Sequence, residues 1–250
     1  MVSTESERQV VDKALRASGI VIVLNQSHVK TTQHIVDTMV AIYEQGYVAE
    51  LTFRIDHGMI REAMAELVKL KAEAPVDKPF VLGVGSVINP AELDDAIEMG
   101  FNMIVAPGNV MGGYGEGKEF IRIAHEHDVF AAPAVFTPTE LGYFIERGDD
   151  LIPDAIKIFP ARTHGPKGIS DLLAPFVRER HKNRIIMPTG AVNETTASDF
   201  YQAIISRGFS PVLGMSAPLQ GVVDQNAPGD SKALAESLQR FKSNCIIRTC

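Results

Sequence analysis

Basic charge, cysteine and long apolar runs are all scarce in this chain, and each shortage closes off a class of function. Its 250 residues carry a formal net charge of −7. That balance argues against nucleic acid, since a phosphate backbone selects basic surfaces, but leaves small anionic substrates open because they need only local positive charge. No apolar run approaches the roughly 20 residues that cross a bilayer. The longest clean one, Gly19-Ile20-Val21-Ile22-Val23-Leu24, has the length of a strand, so no membrane association is expected. The polar, mixed-charge stretch Met1 to Lys13 lacks the pattern of a secretory signal. Only Cys245 and Cys250 carry thiols, which points to a reducing, cytoplasmic compartment rather than a disulfide framework. Low-complexity segments and linker-like breaks in composition are missing too, so residues 1–250 are expected to form one domain.

What the chain does contain is a regular alternation of short apolar runs and helical periods. Strands are expected at Ile20–Leu24, Val48–Phe53, Phe80–Val84, Met103–Ala106, Phe130–Ala134, Ala155–Phe159, Ile185–Pro188 and Val212–Met215. Amphipathic helices are expected between them, at Gln33–Gln45, Ile60–Leu70, Pro90–Met99, Lys118–Glu126, Thr137–Arg147, Ile169–Arg178 and Thr195–Ser206. Lys232–Lys242 follows the last strand and Glu5–Ala17 precedes the first. Asn89-Pro90 and Thr137-Pro138-Thr139-Glu140 read as helix starts, the second as a capping box, and Gly100 and Gly148 as helix ends. Eight strand–helix units indicate an α/β protein of the (β/α)8 TIM-barrel type with an N-terminal helix. An open doubly wound sheet would want a glycine-rich first turn, and the first strand runs instead into Asn25-Gln26-Ser27-His28.

Lys157 lies inside a strand, in Asp154-Ala155-Ile156-Lys157-Ile158-Phe159-Pro160, with its alternation opposite to that of Ile156 and Ile158. A lysine buried among apolar groups escapes the desolvation cost by losing its proton, and a neutral amine in a closed pocket attacks carbonyl carbons. The alternative is a rim lysine whose head reaches solvent. In the second strand, Glu50, Thr52 and Arg54 share one face. They read either as a buried structural ion pair or as a deep proton shuttle, Glu50, below a guanidinium, Arg54, that grips a carboxylate. Hydroxyls and backbone amides at Thr189-Gly190 and Ser216, at the ends of the seventh and eighth strands, suit an anion.

Glu50-x-Thr52-x-Arg54, Gly83-x-Gly85-Ser86-Val87-x-Asn89-Pro90, Ala106-Pro107-Gly108, Phe136-Thr137-Pro138-Thr139-Glu140, Lys157-x-Phe159-Pro160-Ala161 and Pro188-Thr189-Gly190 occur in that order. From Val48 to Leu219 this pattern resembles the 2-keto-3-deoxy-6-phosphogluconate (KDPG)/4-hydroxy-2-oxoglutarate aldolases, class I lyases on a (β/α)8 barrel. The resemblance implies Lys157 as the Schiff-base lysine and Glu50 as the acid/base. Arg54, Ser86 and Thr189 would hold the pyruvyl carboxylate, Pro107, Phe159 and Gly190 would line the substrate pocket, and Ser216 would stand near its distal end. It further implies a homotrimer, a small keto-acid substrate cleaved to pyruvate- or glyoxylate-type products plus an aldehyde, and no metal or organic cofactor.

Departures from that pattern bear on the substrate. Ala191 and Met215 replace glycines of the family's phosphate loops, and a methyl and a thioether are expected to crowd a phosphate there. Gly112 to Lys118 nearly spells a phosphate loop but continues into Glu119, so a lid over the mouth is the expected reading. His57 and His164 fall on loops at the reactive end, with His164 expected at the surface. His125 and His127, two apart on a helix, should not share a metal. Two other functions remain open: a phosphate-binding barrel isomerase or epimerase, and a non-catalytic keto-acid binder.

Overall fold

The computed structural model describes residues 5–108, 118–146, 151–223 and 231–244. Its strands are β1 (Ile20–Leu24), β2 (Val48–Thr52), β3 (Leu82–Gly85), β4 (Met103–Val105), β5 (Phe130–Ala132), β6 (Ala134–Val135), β7 (Ala155–Ile158), β8 (Ile185–Pro188), β9 (Ser210–Pro211) and β10 (Leu213–Met215). All pairings are parallel, in the orders β10-β1-β2-β3-β4-β5 and β6-β7-β8-β9. Pro133 splits one stave into β5 and β6, because proline has no N–H to give to the ladder. The expected fifth strand, Phe130–Ala134, is therefore two short ones. The eighth stave is likewise divided, into β9 and β10. Lys157 N donates to Pro133 O, Val212 N to Ile186 O and Leu213 N to Gly19 O, which joins the two sheets into a ring of eight staves. The barrel is the expected (β/α)8 type.

Helices surround it: α1 (Glu7–Ser18), α2 (Thr32–Glu44), α3 (His57–Glu73), α4 (Pro90–Glu98), α5 (Lys118–Glu126), α6 (Pro138–Ile145), α7 (Ala161–Leu173), α8 (Ala197–Ile205), α9 (Ala217–Val223) and α10 (Ser231–Asn244). Asn89 and Thr137 cap α4 and α6 as the sequence indicates, the second through a full capping box. Two elements depart from expectation. Helix α7 begins eight residues before Ile169, immediately after the lysine strand, and bends at Gly165 (φ 62°) ahead of Pro166. Helix α9 was not anticipated, because Pro218 and Gly221 mask its period. Gly148 and the Val110–Lys118 loop fall outside the described residues, apart from Lys118 at the start of α5.

Alternation along the staves divides the apolar side chains into two cores. Ile22, Leu51, Phe53, Val84, Ile104, Ile156, Ile186, Leu213 and Met215 pack outward under the helices. Val21, Val48, Val81, Met103, Val105, Phe130, Ala155, Ile185 and Met187 fill the barrel, and Val11 and Leu15 of α1 join them from below. Helix α1 thus plugs the N-terminal end, held by polar bonds. Asp128 accepts from the N–H groups of Glu7 (2.7 Å) and Arg8 (3.4 Å) at the helix start. Asp154 accepts from Arg8 (2.6 Å) and from the N–H of Ala131 (2.8 Å), and its carboxylate lies 3.0 Å from His125 Nε2. The plug leaves the opposite end, at the C-terminal ends of the strands, as the open one.

Candidate active site

Lys157 lies in β7 between Ile156 and Ile158, and the alternation that sends those two outward turns its side chain into the barrel. It is 4% exposed. Its Nζ stands 3.7 Å from Glu50 Oε1 and 5.2 Å from the centre of the Phe159 ring. The solvated rim lysine that the sequence left open is therefore not what forms. Glu50, in β2, is 1% exposed. Burial pushes its carboxyl above the usual range, and the neighbouring Lys157 offsets this only in part. Its Oε2 has no hydrogen-bond partner among the described residues.

Glycine makes room for this carboxyl. A Cβ on Gly85 would overlap Glu50 Oε1 and lie 2.7 Å from Glu50 Cδ, so the side chain occupies the space that any other residue in β3 would fill. Gly214 does the same for Thr189, since a Cβ there would lie 3.1 Å from Thr189 Cγ2. In the sequence, Gly85 stands out only within the pattern Gly83-x-Gly85-Ser86, and Gly214 only as part of the eighth strand. Their role shows only in the register of the closed ring: Gly85 pairs with Thr52 and Gly214 bridges to Thr189, so each faces a motif residue across the ladder.

Arg54 takes a different position from the expected one. Strand β2 ends at Thr52, and Arg54 stands in the following turn with its side chain 42% exposed. Its guanidinium bonds the Glu92 carboxylate and the carbonyl of Ser86 (3.2 Å). The Glu50–Arg54 ion pair allowed by alternation does not form, as Glu50 faces Lys157 and Arg54 reaches across the rim to α4. Ser86 adopts a left-handed backbone (φ 63°), a conformation that costs a non-glycine residue energy and is held by its surroundings. Thr189 is 8% exposed; Pro107, Phe159, Gly190 and Ser216 are half-buried at the C-terminal ends of their staves.

Met215 corrects one expectation. Its thioether is buried in the outer core, with Gly214 as the inward residue of that strand, so it does not crowd the mouth. Ala191 is exposed and left-handed (φ 63°), and its methyl remains a departure from glycine at a position that favours glycine.

The histidines also differ from expectation. His164 is half-buried rather than superficial, because α7 starts early and presses its ring against Phe136 at 4.6 Å; its Nε2 is buried with no hydrogen-bond partner among the described residues. His57 opens α3 and bonds the Phe53 carbonyl at 3.0 Å. His125 is used by Asp154 at the plugged end while His127 is exposed, so the two do not converge. Sequence reading missed His28. It sits after β1, 4% exposed, with Nδ1 accepting from the N–H of Asn25 (3.1 Å) and Nε2 buried with no hydrogen-bond partner among the described residues. Burial lowers its pKa to about 4, so the ring is neutral and Nε2 carries the hydrogen.

A buried amine and a buried acid at the open end of a parallel ring of strands form the kind of centre on which a TIM-barrel lyase is built, with an aldolase the natural instance. The comparisons with known proteins supply the family. The description of the KDPG and KHG aldolase family matches residues 11–216, and the chain belongs to that family. The KHG/KDPG aldolase of Escherichia coli K12 is 26% identical over 174 residues, covering 69% of this chain and 70% of the relative. Among solved structures, the KDPG aldolase of Legionella pneumophila, captured with pyruvate as a covalent carbinolamine, superimposes with a TM-score of 0.68 at 18% identity, over 92% of this chain and 97% of that one. A 4-hydroxy-2-oxoglutarate aldolase/2-deydro-3-deoxyphosphogluconate aldolase from TTHB1 gives 0.64 at 22% identity, over 94% and 98%. At these identities the structures speak for the fold alone. The chain is an aldolase of this family, and no helix among its described residues is long and apolar enough to cross a membrane.

Proposed function

We propose that this aldolase cleaves or forms 2-keto-4-hydroxy acids of the KDPG and 4-hydroxy-2-oxoglutarate type through an imine on Lys157. The observation that carries the reading is the Lys157–Glu50 pair, buried together at 3.7 Å. With Nζ as the free amine, it adds to the 2-keto carbon while the carbonyl oxygen takes the proton that nitrogen gives up. The resulting hydroxyl leaves as water with a proton from the Glu50 carboxyl, and the nitrogen lone pair closes the protonated imine. Glu50, now a carboxylate, removes the proton from the 4-hydroxyl. The C3–C4 bond breaks, the aldehyde departs and the imine accepts the electron pair as an enamine. Protonation at C3 and hydrolysis then release the keto acid. Burial raises the Glu50 pKa above the usual carboxylate range, a shift toward the pH at which one group can both give and take a proton.

Around this pair, Arg54, Ser86 and Thr189 serve the substrate carboxylate in our reading. Pro107, Phe159 and Gly190 line the pocket, with Ser216 toward the distal end. For Arg54 this requires guanidinium nitrogens other than the Nη2 already bonded to Ser86 and Glu92. The reading also takes residues 1–250 as one barrel domain, supported by the unbroken composition, in the cytoplasm, supported by the scarcity of cysteine, and as a homotrimer, supported by the family resemblance. Light scattering should then give three times the chain mass of 27.2 kDa.

Borohydride reduction in the presence of pyruvate tests the chemistry. The expected product is a pyruvyl adduct on Lys157, with Lys157→Ala unlabelled and its kcat reduced by on the order of 10³-fold or more. Labelling of Lys157→Ala at another lysine would refute the assignment. An isomerase or epimerase of the same fold is excluded if pyruvate and an aldehyde appear together. A non-catalytic binder is excluded by turnover itself.

A further inference from the structure

The mouth holds two buried oxygens that the scheme above leaves unexplained. Glu50 Oε2 has no hydrogen-bond partner among the described residues, and neither does Thr52 Oγ1. Both residues belong to β2, two positions apart. Leu51 and Phe53 point outward, so Glu50 and Thr52 share the inner face. Two residues along a strand span about 6.6 Å, too far for direct contact if both side chains stood straight out. Glu50 does not stand straight out. Its carboxyl leans along the barrel axis into the space vacated by Gly85, and Gly85 is the residue that Thr52 faces across the β2–β3 ladder. The carboxyl therefore lies near the level of the Thr52 hydroxyl, yet the two do not bond each other. A buried carboxyl and a buried hydroxyl left open toward a common space are the partners that a small hydrogen-bonding molecule requires, and one water spans about 5.6 Å between two such groups.

Resting on the Lys157 imine reading, we propose that Thr52 is a positioning residue for the water of that reaction, held between its Oγ1 and Glu50 Oε2. Dehydration of the carbinolamine sets this water free as the C–O bond breaks and Glu50 gives up its proton. Hydrolysis runs the same step backwards: Glu50 takes a proton from the water, whose oxygen adds to the imine carbon as the C=N pair returns to nitrogen. Thr52 forms no bond to the substrate. Its hydroxyl fixes where that oxygen stands, so that it leaves and returns along one line.

Thr52→Val keeps the shape and removes the hydroxyl, whereas Thr52→Ser keeps the hydroxyl and removes the methyl. Solvent ¹⁸O exchange into the 2-keto oxygen of pyruvate reads imine formation and hydrolysis without C–C cleavage. For Thr52→Val the expected result is an exchange rate and kcat reduced by on the order of 10-fold or more, with KM within about twofold of wild type. Thr52→Ser should recover most of the loss, and both variants should show wild-type circular dichroism. Wild-type exchange in Thr52→Val would overturn the proposal, and so would equal impairment of the serine and valine variants or a loss confined to KM. Failure of the underlying imine reading would show differently, as no borohydride adduct on Lys157 in the wild-type enzyme.

Discussion

The two ends of this barrel treat buried polar groups in opposite ways. At the plugged end, Asp154 is nearly enclosed, yet it gathers donors from Arg8, His125 and the Ala131 backbone, and Asn102 ties Leu82 to Glu7. At the open end, Glu50 Oε2, Thr52 Oγ1, His28 Nε2 and His164 Nε2 are all buried without hydrogen-bond partners among the described residues. A buried polar atom left unpaired costs about 1–3 kcal/mol, so each of these lowers the stability of the fold. The division is not absolute, since Arg184 Nε, near the plugged end, and Glu146 Oε1, just past α6, also lack a hydrogen-bond partner among the described residues. Its sense is plain nonetheless. Donors and acceptors saturated by the protein hold α1 in place, while Glu50 Oε2 and Thr52 Oγ1 stay open on the inner face of β2, beside Lys157.

The sharpest way to break this comparison is to fill the space that the open end keeps. Gly85→Ala would put a methyl where the Glu50 carboxyl now lies. The displaced atoms are the far end of a flexible side chain, so the fold should survive with a small change in melting temperature. Catalysis should not, because a shift of about 1 Å in a proton-transfer group costs on the order of 100-fold in kcat. Gly83→Ala is the contrasting control: its Cβ would strike the Ala49 backbone carbonyl, and the loss should appear as instability. If Gly85→Ala turns over at the wild-type rate, Glu50 is not the group that moves the proton.

Next in size is an exchange of signs between the two ends. Asp154→Asn leaves Arg8 and His125 facing a neutral amide, and removing one member of a buried charged cluster destabilises by about 3 kcal/mol. Activity per folded molecule should be unchanged. Glu50→Gln removes a carboxyl that burial already disfavours, so it should hold or raise the urea midpoint while kcat falls by on the order of 100-fold or more. Should both variants lose stability alike, the contrast between the ends would be one of position only.

Much of this was legible from residues alone, for identifiable reasons. Alternation in Ile156-Lys157-Ile158 and in Glu50-Leu51-Thr52-Phe53 gave the right faces because a strand has a period of two and a barrel has one inside. Its failure at Arg54 has the same physical source: the strand ended at Thr52, and alternation carries no information through a turn. Met215 was misread because the residue was assigned to a loop by resemblance, while the strand rule, applied through Gly214, would have sent it outward. His164 was misjudged because Gly165 and Pro166 hid the early start of α7. The carboxyl's berth against Gly85 was out of reach altogether, since cross-strand register is set by the closure of the ring and not by either strand alone. His28 was equally hidden, because nothing in Asn25-Gln26-Ser27-His28 reveals that the loop folds under itself.

That loop gives the smallest of the expected effects, and it separates the two ends by pH. His28 has its pKa lowered to about 4 by burial, against about 6.5 for an exposed imidazole. A lowered native pKa means that the unfolded chain binds a proton the folded one refuses, so stability is whole above about pH 6.5 and is lost as pH falls toward 4. Asp154 is also held below its usual value: burial pushes it up, but the bonds from His125, Arg8 and Ala131 outweigh that. Its contribution persists until the pH falls below the ordinary aspartate range near 3.8 and on through the lower native value. The His28 contribution should therefore be lost first on acidification and the Asp154 contribution only afterwards, while the raised Glu50 carboxyl works in the opposite sense, gaining stability as pH falls. Urea midpoints measured from pH 7 to pH 3 should decline in two stages, the first of them flattened in His28→Gln and the second in Asp154→Asn. An upper stage that survives in His28→Gln would place the acid-sensitive proton elsewhere and overturn the assignment to His28.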